Sequence, residues 1–281
     1  MFMKNIIVGT AGWRMPYGNS PTILSEDKIW SLIKFLKKNN INHLDTASSY
    51  ADAEKIIFNL TDSTFKIDTK IQTFSDKEEF KLLLDEKCDL NINTLYFHDP
   101  DIFKRFDSSS IKMFVSQIND CGYKAGFSLY DQSLFDCIDF FNSKNTLQGP
   151  VHLLDLTFVK NVIEMKCIPE NTYLRSFFAR GLFFMEDKYI KDVLGKNYNE
   201  VKRNFENQYN ANFSSKNLLA LTHSMIGYLL KQGYGCVLGM NSSSEVKNLL
   251  RKIKLSQFDD FKWESTIMNA KKIIDIQQIN L

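Results

Sequence analysis

The chain has 281 residues, in which 35 lysines and arginines face 33 aspartates and glutamates, for a formal net charge of +2. A balance this even gives no field that would select nucleic acid or an anionic membrane, and no apolar run approaches the ~20 residues of a membrane span. The five cysteines, Cys88, Cys121, Cys137, Cys167 and Cys236, are odd in number and lack CxxC spacing. They read as reduced thiols of a cytosolic protein, not as a disulfide frame or a metal site.

The opening MFMKNIIVGTAGW is too short, and too soon interrupted by glycine, for a signal peptide. Ile6-Ile7-Val8 reads as a strand that enters the loop GTAGWRMPYG, and Ile29, Leu32, Ile33, Phe35 and Leu36 then recur at helical spacing. HLDTA (43–47) is a second strand, followed by a helix over 53–60. KIDTKI (66–71) precedes a helix over 76–87, and TLYFHD (94–99) precedes one over 110–122 that Gly122 terminates. YKAGFSLY (123–130) leads to a helix over 132–144, and VHLLDLTF (151–158) to one near 159–167. YLRSFFARG (173–181) is the seventh strand. The polar stretch 186–217 reads as an enlarged loop before an apolar helix over 218–232, which Gly233 ends. CVLGM (236–240), a helix over 244–254 and an amphipathic helix over 263–276 complete the chain.

Eight strand–helix units in succession demand parallel strands with right-handed crossovers, and eight such units close into a (β/α)8 TIM barrel. An open doubly wound sheet would favour a GxGxxG turn after the first strand, where this chain has GTAGW. With no internal repeat, linker or low-complexity segment, residues 1–281 are expected to form one domain, soluble and cytoplasmic.

Barrel active sites lie at the C-terminal ends of the strands. Asp45 and Tyr50 close the second unit, Lys70 the third and His98 the fourth. Each has a plainer reading: a turn cap, a rim aromatic, a solvated lysine, a core histidine. As a set they make a proton-transfer device. A phenol with an ordinary pKa of about 10 is a poor acid at neutral pH, a nearby ammonium lowers that value, and a carboxylate holds the ammonium charged and in place. His98 orients the substrate oxygen or donates a second hydrogen bond.

With GTAGWRMPYG, LDTASSYADAEKII, the TK of KIDTK, LYFHDP, AGFSLY, LQGPVHLLD, RSFFARGLF and GMNSSSEVKNLL, the chain resembles the aldo-keto reductase family over nearly its whole length. The resemblance implies a tetrad of Asp45, Tyr50, Lys70 and His98, and hydride transfer between NADP or NAD and a carbonyl, with Tyr50 as proton donor. It further implies a nicotinamide amide held by Ser128 and Gln148, with Arg175 in the place of an aromatic that stacks on the ring; a guanidinium can also lie flat on a ring. Gly9, Thr10, Ala11, Asp45 and Ser176 would complete that end of the cofactor site. Gly239, Asn241, Ser242, Glu245 and Asn248 match the phosphate-binding segment, where a helix N-terminus suits an anion. Trp13 and Tyr17 on the first loop are expected to line the pocket of a small carbonyl or sugar substrate. Phe177, Phe178, Phe183 and Phe184 are assigned to the core. GTA-x-x-x-MPYG and GFSLYD resemble the style of family members in sugar or nucleotide-sugar metabolism.

The chain departs from the family pattern at several positions. Ala51 stands where glycine usually follows the tyrosine, and Leu129 where an asparagine is common. No basic residue stands at Asn241, Ser242 or Ser243 to meet a 2′-phosphate. Arg180 stands where relatives often carry glutamine. Two other readings keep the barrel: a non-catalytic nucleotide-binding sensor, and a lyase in which Lys70 forms a Schiff base.

Overall fold

Eight strands pair in chain order, all parallel, and the last returns to the first with Ile6 opposite Cys236. They are β1 (Ile6–Gly9), β2 (His43–Asp45), β3 (Lys66–Ile71), β4 (Thr94–Phe97), β5 (Lys124–Ser128), β6 (Thr146–Pro150), β7 (Thr172–Arg175) and β8 (Gly235–Gly239). The structure, a computed structural model, describes residues 2–18, 23–88, 90–99, 101–130, 145–254 and 262–275. The expected (β/α)8 barrel is the observed fold.

Helices connect the strands: α1 (Glu26–Lys38), α2 (Ala53–Leu60), α3 (Lys77–Asp85), α4 (Ile102–Arg105), α5 (Ser108–Asp120), α6 (Thr157–Glu164), α7 (Asp187–Leu194), α8 (Tyr198–Tyr209), α9 (Ser215–Lys231), α10 (Ser243–Lys254) and α11 (Trp263–Asn269). α1 shows why such segments are helical. The Ser25 side chain accepts the Lys28 N–H, Glu26 and Asp27 face the positive helix start, and Lys37 and Lys38 the negative end. Ile29, Leu32, Ile33 and Leu36 form the buried stripe. No helix among the described residues is long and apolar enough to cross a membrane.

Four expectations need correction. The seventh strand ends at Arg175, not at residue 181, because the chain turns left-handed at Ser176. The sixth strand is Thr146–Pro150, not 151–158. Val151–Leu156 is a loop, closed by a bridge between His152 and Asp155, in which Val151, Leu153, Leu154 and Leu156 are buried. The polar stretch after β7 holds α7 and α8, whose narrow stripe of Ile190 and Leu194, then Val201, Phe205 and Tyr209, is buried. The C-terminal helix stops at Asn269, and the following chain lies against the β6 loop, where Ile273 and Ile274 both donate to the Leu154 carbonyl. The helix expected over 132–144 lies outside the described residues.

Side chains alternate between the inside and outside of a barrel strand, so residues two apart share the interior. Tyr96 on β4 and Tyr173 on β7 fill it beside Ile7 and Val237. Each tyrosine lies over a glycine of the next strand, Gly126 and Gly235, where an added Cβ would come within 2.5 and 2.4 Å of the ring. Below the site, a buried hydrogen bond joins His43 Nε2 to Asp68 Oδ2 at 2.7 Å, and Asn93 donates to the second oxygen at 2.7 Å.

Candidate active site

The same alternation builds the site. Asp45 is two beyond His43, Lys70 two beyond Asp68, His98 two beyond Tyr96, Gln148 two beyond Thr146 and Arg175 two beyond Tyr173, so all five close the interior at the C-terminal end of the strands. Lys70 is 2 % and Asp45 4 % exposed. The Lys70 ammonium donates to both Asp45 oxygens at 2.8 and 2.7 Å and to the Thr46 carbonyl at 2.8 Å. Gln148 Nε2 donates to Asp45 Oδ1 at 2.7 Å. A buried lysine is tolerable only with such partners.

Tyr50 stands above this pair. The ammonium is 5.6 Å from its ring centroid and 5.9 Å from that of Tyr96 beneath. The Tyr50 and His98 rings meet edge to face, 6.4 Å apart. The structure thus brings Asp45, Tyr50, Lys70 and His98 together. Their electrostatics differ from expectation in one respect: burial, with Asp45 acting in the same direction, pushes the Tyr50 hydroxyl well above an ordinary phenol, while Arg175 acts against them. Burial first, then the charges of Lys70 and Arg175, lower His98 to about 4, so its imidazole is neutral near pH 7.

The turn that presents Tyr50 is tied down from below. Glu54 at the start of α2 accepts from Ser48 Oγ at 3.4 Å, from Thr69 Oγ1 and from Lys87 Nζ at 2.5 Å. From outside, Arg14 grips both Asp52 oxygens at 2.7 and 2.9 Å. Ala51 takes the left-handed conformation, φ 49°, which explains the glycine usual at this position.

A cavity of about 430 Å³ opens beside Tyr50 and runs to the β1–β8 seam. Gly9, Thr10, Ala11, Tyr17, Asp45, Arg175, Ser176, Gly239, Asn241 and Glu245 line it, as does Arg180. Trp13 does not. It is fully buried, its Nε1 donating to the Met240 carbonyl at 2.9 Å, and it belongs to the core behind the loop. Conversely, Phe177, Phe178 and Phe184 belong to the cavity wall, and of the four phenylalanines assigned to the core only Phe183 lies there alone. The segment carrying them has left-handed backbone at Ser176, Ala179, Arg180 and Gly181, and of these four only Gly181 is a residue whose type signals it.

Ser128 and Gln148 are buried behind the cavity wall. Gln148 Oε1 has no hydrogen-bond partner among the described residues, and such a buried acceptor fits the N–H of a carboxamide. The Arg175 guanidinium lies 5.0 Å from the Tyr130 ring and donates to the Leu129 carbonyl at 3.3 Å.

At α10 the chain caps itself. Ser242 Oγ accepts the Glu245 N–H at 3.2 Å, and Glu245 accepts the Asn241 N–H at 2.9 Å and the Ser242 hydroxyl at 3.1 Å. This reciprocal box places a carboxylate at the helix start expected to meet phosphate. Ser242 and the exposed Asn248 stand outside the wall of this cavity.

No family model matches this sequence, and no curated protein matches it. Solved structures do resemble it in fold. A glycerol dehydrogenase of Gluconobacter oxydans is 16 % identical with a TM-score of 0.59, the match covering 96 % of this chain and 94 % of that one. An aldo-keto reductase of Klebsiella pneumoniae, in complex with NADPH, is 13 % identical with a TM-score of 0.57, over 99 % and 94 %. An aldose reductase of Giardia lamblia is 12 % identical with a TM-score of 0.55, over 96 % and 92 %. At these identities what is shared is the barrel, and the neighbours' names are those of the family that the sequence resembles.

Proposed function

We propose that the chain is an aldo-keto reductase: a nicotinamide-dependent oxidoreductase that interconverts a carbonyl and an alcohol, with Tyr50 as the proton donor to the carbonyl oxygen. The observation that carries this reading is the buried Lys70–Asp45 pair beneath Tyr50, with His98 against its ring. A bound NADP or NAD supplies the hydride and the protein supplies position and electrostatics. Gln148, Ser128 and Arg175 would hold the nicotinamide end, and the unpartnered Gln148 Oε1 supports that reading. At the other end Glu245 occupies the capping position, so the choice between the two cofactors falls to side chains outside that box.

Tyr50 holds its proton firmly in the free protein, which suits a group that must arrive as the acid. Lys70 and Asp45 fix the floor on which the phenol stands, and neutral His98 can donate a hydrogen bond to the same carbonyl oxygen. The Schiff-base alternative is disfavoured because all three ammonium hydrogens of Lys70 have acceptors, whereas a nucleophilic amine must be neutral and free. The substrate meets Tyr17, Phe184 and Arg180 at the rim, a wall that is aromatic and basic.

The test is a fluorescence titration with NADPH and NADH, followed by turnover of small aldehydes. Binding with turnover supports the reductase. Binding without turnover favours a sensor, and reduction of aldehyde by Tyr50→Phe at the parent rate removes Tyr50 as the acid.

A further inference from the structure

Cys88 follows α3 and Cys121 caps the end of α5, 33 positions apart, yet their sulfurs lie 2.9 Å from each other. Both are free thiols, Cys88 exposed and Cys121 partly so. The backbone around them is held in place: the Tyr123 hydroxyl lies 2.6 Å from the Lys87 carbonyl and 3.0 Å from that of Leu90, pinning the Cys88 turn to the start of β5. Both cysteines precede their strands, β4 and β5, at the opposite end of the barrel from the cavity.

We propose that Cys88 and Cys121 form a reversible dithiol–disulfide site, closed by a peroxide and reopened by a small dithiol. Bonded sulfurs are about 2.05 Å apart, so from 2.9 Å closure brings the sulfurs less than about 1 Å nearer. Burial, with the contact to Cys88 adding to it, raises the Cys121 thiol to about 11, which leaves the exposed Cys88 as the sulfur that reacts first. Its thiolate attacks one oxygen of hydrogen peroxide, the O–O bond breaks, and the departing hydroxide takes a proton to become water. The Cys121 sulfur then attacks the resulting Cys88 sulfenic acid, the S–O bond breaks, and a second water leaves. Two thiols lose two electrons and two protons, and one peroxide becomes two waters. Thiol–disulfide exchange with a dithiol reverses the process.

The full-length protein, reduced and freed of reductant, is treated with a small excess of hydrogen peroxide under native conditions. The expected intact mass falls by about 2 Da, the two hydrogens lost. A digest without reductant should yield one cross-linked pair carrying Cys88 and Cys121, which dithiothreitol separates. Cys167 and Cys236, both buried, should remain thiols throughout. Cys88→Ser should show no mass loss at the same dose. If the parent protein instead yields Cys88 and Cys121 as separate peptides, still thiols or individually oxygenated, or links between two chains, the assignment is wrong. That readout is taken on the parent protein and is independent of how any variant folds.

Discussion

Lys70 on β3 and Asp45 on β2 are joined twice, one ammonium nitrogen lying within 2.8 Å of both carboxylate oxygens. Neither side chain has meaningful access to water. A buried pair of this kind contributes little net stability, but breaking it leaves one charge uncompensated at a cost of about 3–5 kcal/mol. Lys70→Met and Asp45→Asn should each lose stability on that scale in urea unfolding. The double variant, which buries no net charge, should be more stable than the sum of the two losses implies. Additive losses would mean that the pair is not coupled.

Ala51 follows Tyr50 in left-handed backbone, which costs an L-residue with a Cβ roughly 1 kcal/mol. Ala51→Gly removes that strain but frees the unfolded chain, so the net gain is expected to be about 0.5 kcal/mol. The expected outcome is a small upward shift of the urea midpoint with unchanged slope. Because Arg14 and Glu54 hold the turn from both sides, turnover should be preserved. A loss of stability would show that the backbone does not need the left-handed conformation.

Much of the site was legible because barrel sites lie where strands end. Asp45, Lys70 and His98 stand at or just past the ends of apolar, β-branched runs, and the helical spacing of Ile29, Leu32, Ile33 and Leu36 located the outer layer. β6 was misplaced because VHLLDL is apolar on both faces, as a buried parallel strand is. The true strand, TLQGP, carries glycine, glutamine and proline, and Gly149 is required there because a Cβ would lie 2.1 Å from the Phe158 ring. The reversal of Trp13 and Phe184 has a related cause. Loop aromatics look alike in sequence, and only the hydrogen bond from Trp13 to Met240 and the left-handed turns at Ala179 and Arg180 decide which ring turns inward.

The pH behaviour of the reaction follows from two displaced groups. His98 titrates at about 4 and Tyr50 well above the usual phenol range. A proton donor with a raised pKa stays protonated as the pH rises, and a histidine with a lowered one stays neutral as the pH falls. Aldehyde reduction measured as kcat/KM should therefore be level from about pH 5 to about pH 10. Alcohol oxidation, which needs the phenolate, should rise throughout that range. A fall in reduction centred near pH 8 would contradict the assignment of Tyr50.

His152 supplies an acid limit on stability that is separate from the site. It lies in the loop after β6, 3 % exposed, and its Nδ1 has no hydrogen-bond partner among the described residues. Burial lowers it from 6.5 to about 4, against the opposing pull of Asp155. Between those values the unfolded chain binds a proton that the folded chain refuses, so stability rises with pH across this window. The contribution is fully present above pH 6.5 and is lost as the pH falls toward 4, by roughly 3 kcal/mol at most. His98 and His223 shift in the same direction, so the informative quantity is a difference. His152→Gln should flatten the stability–pH curve between pH 6.5 and 4 relative to the parent chain in urea unfolding. Parallel curves for the two proteins would show that His152 ionises as freely in the fold as outside it.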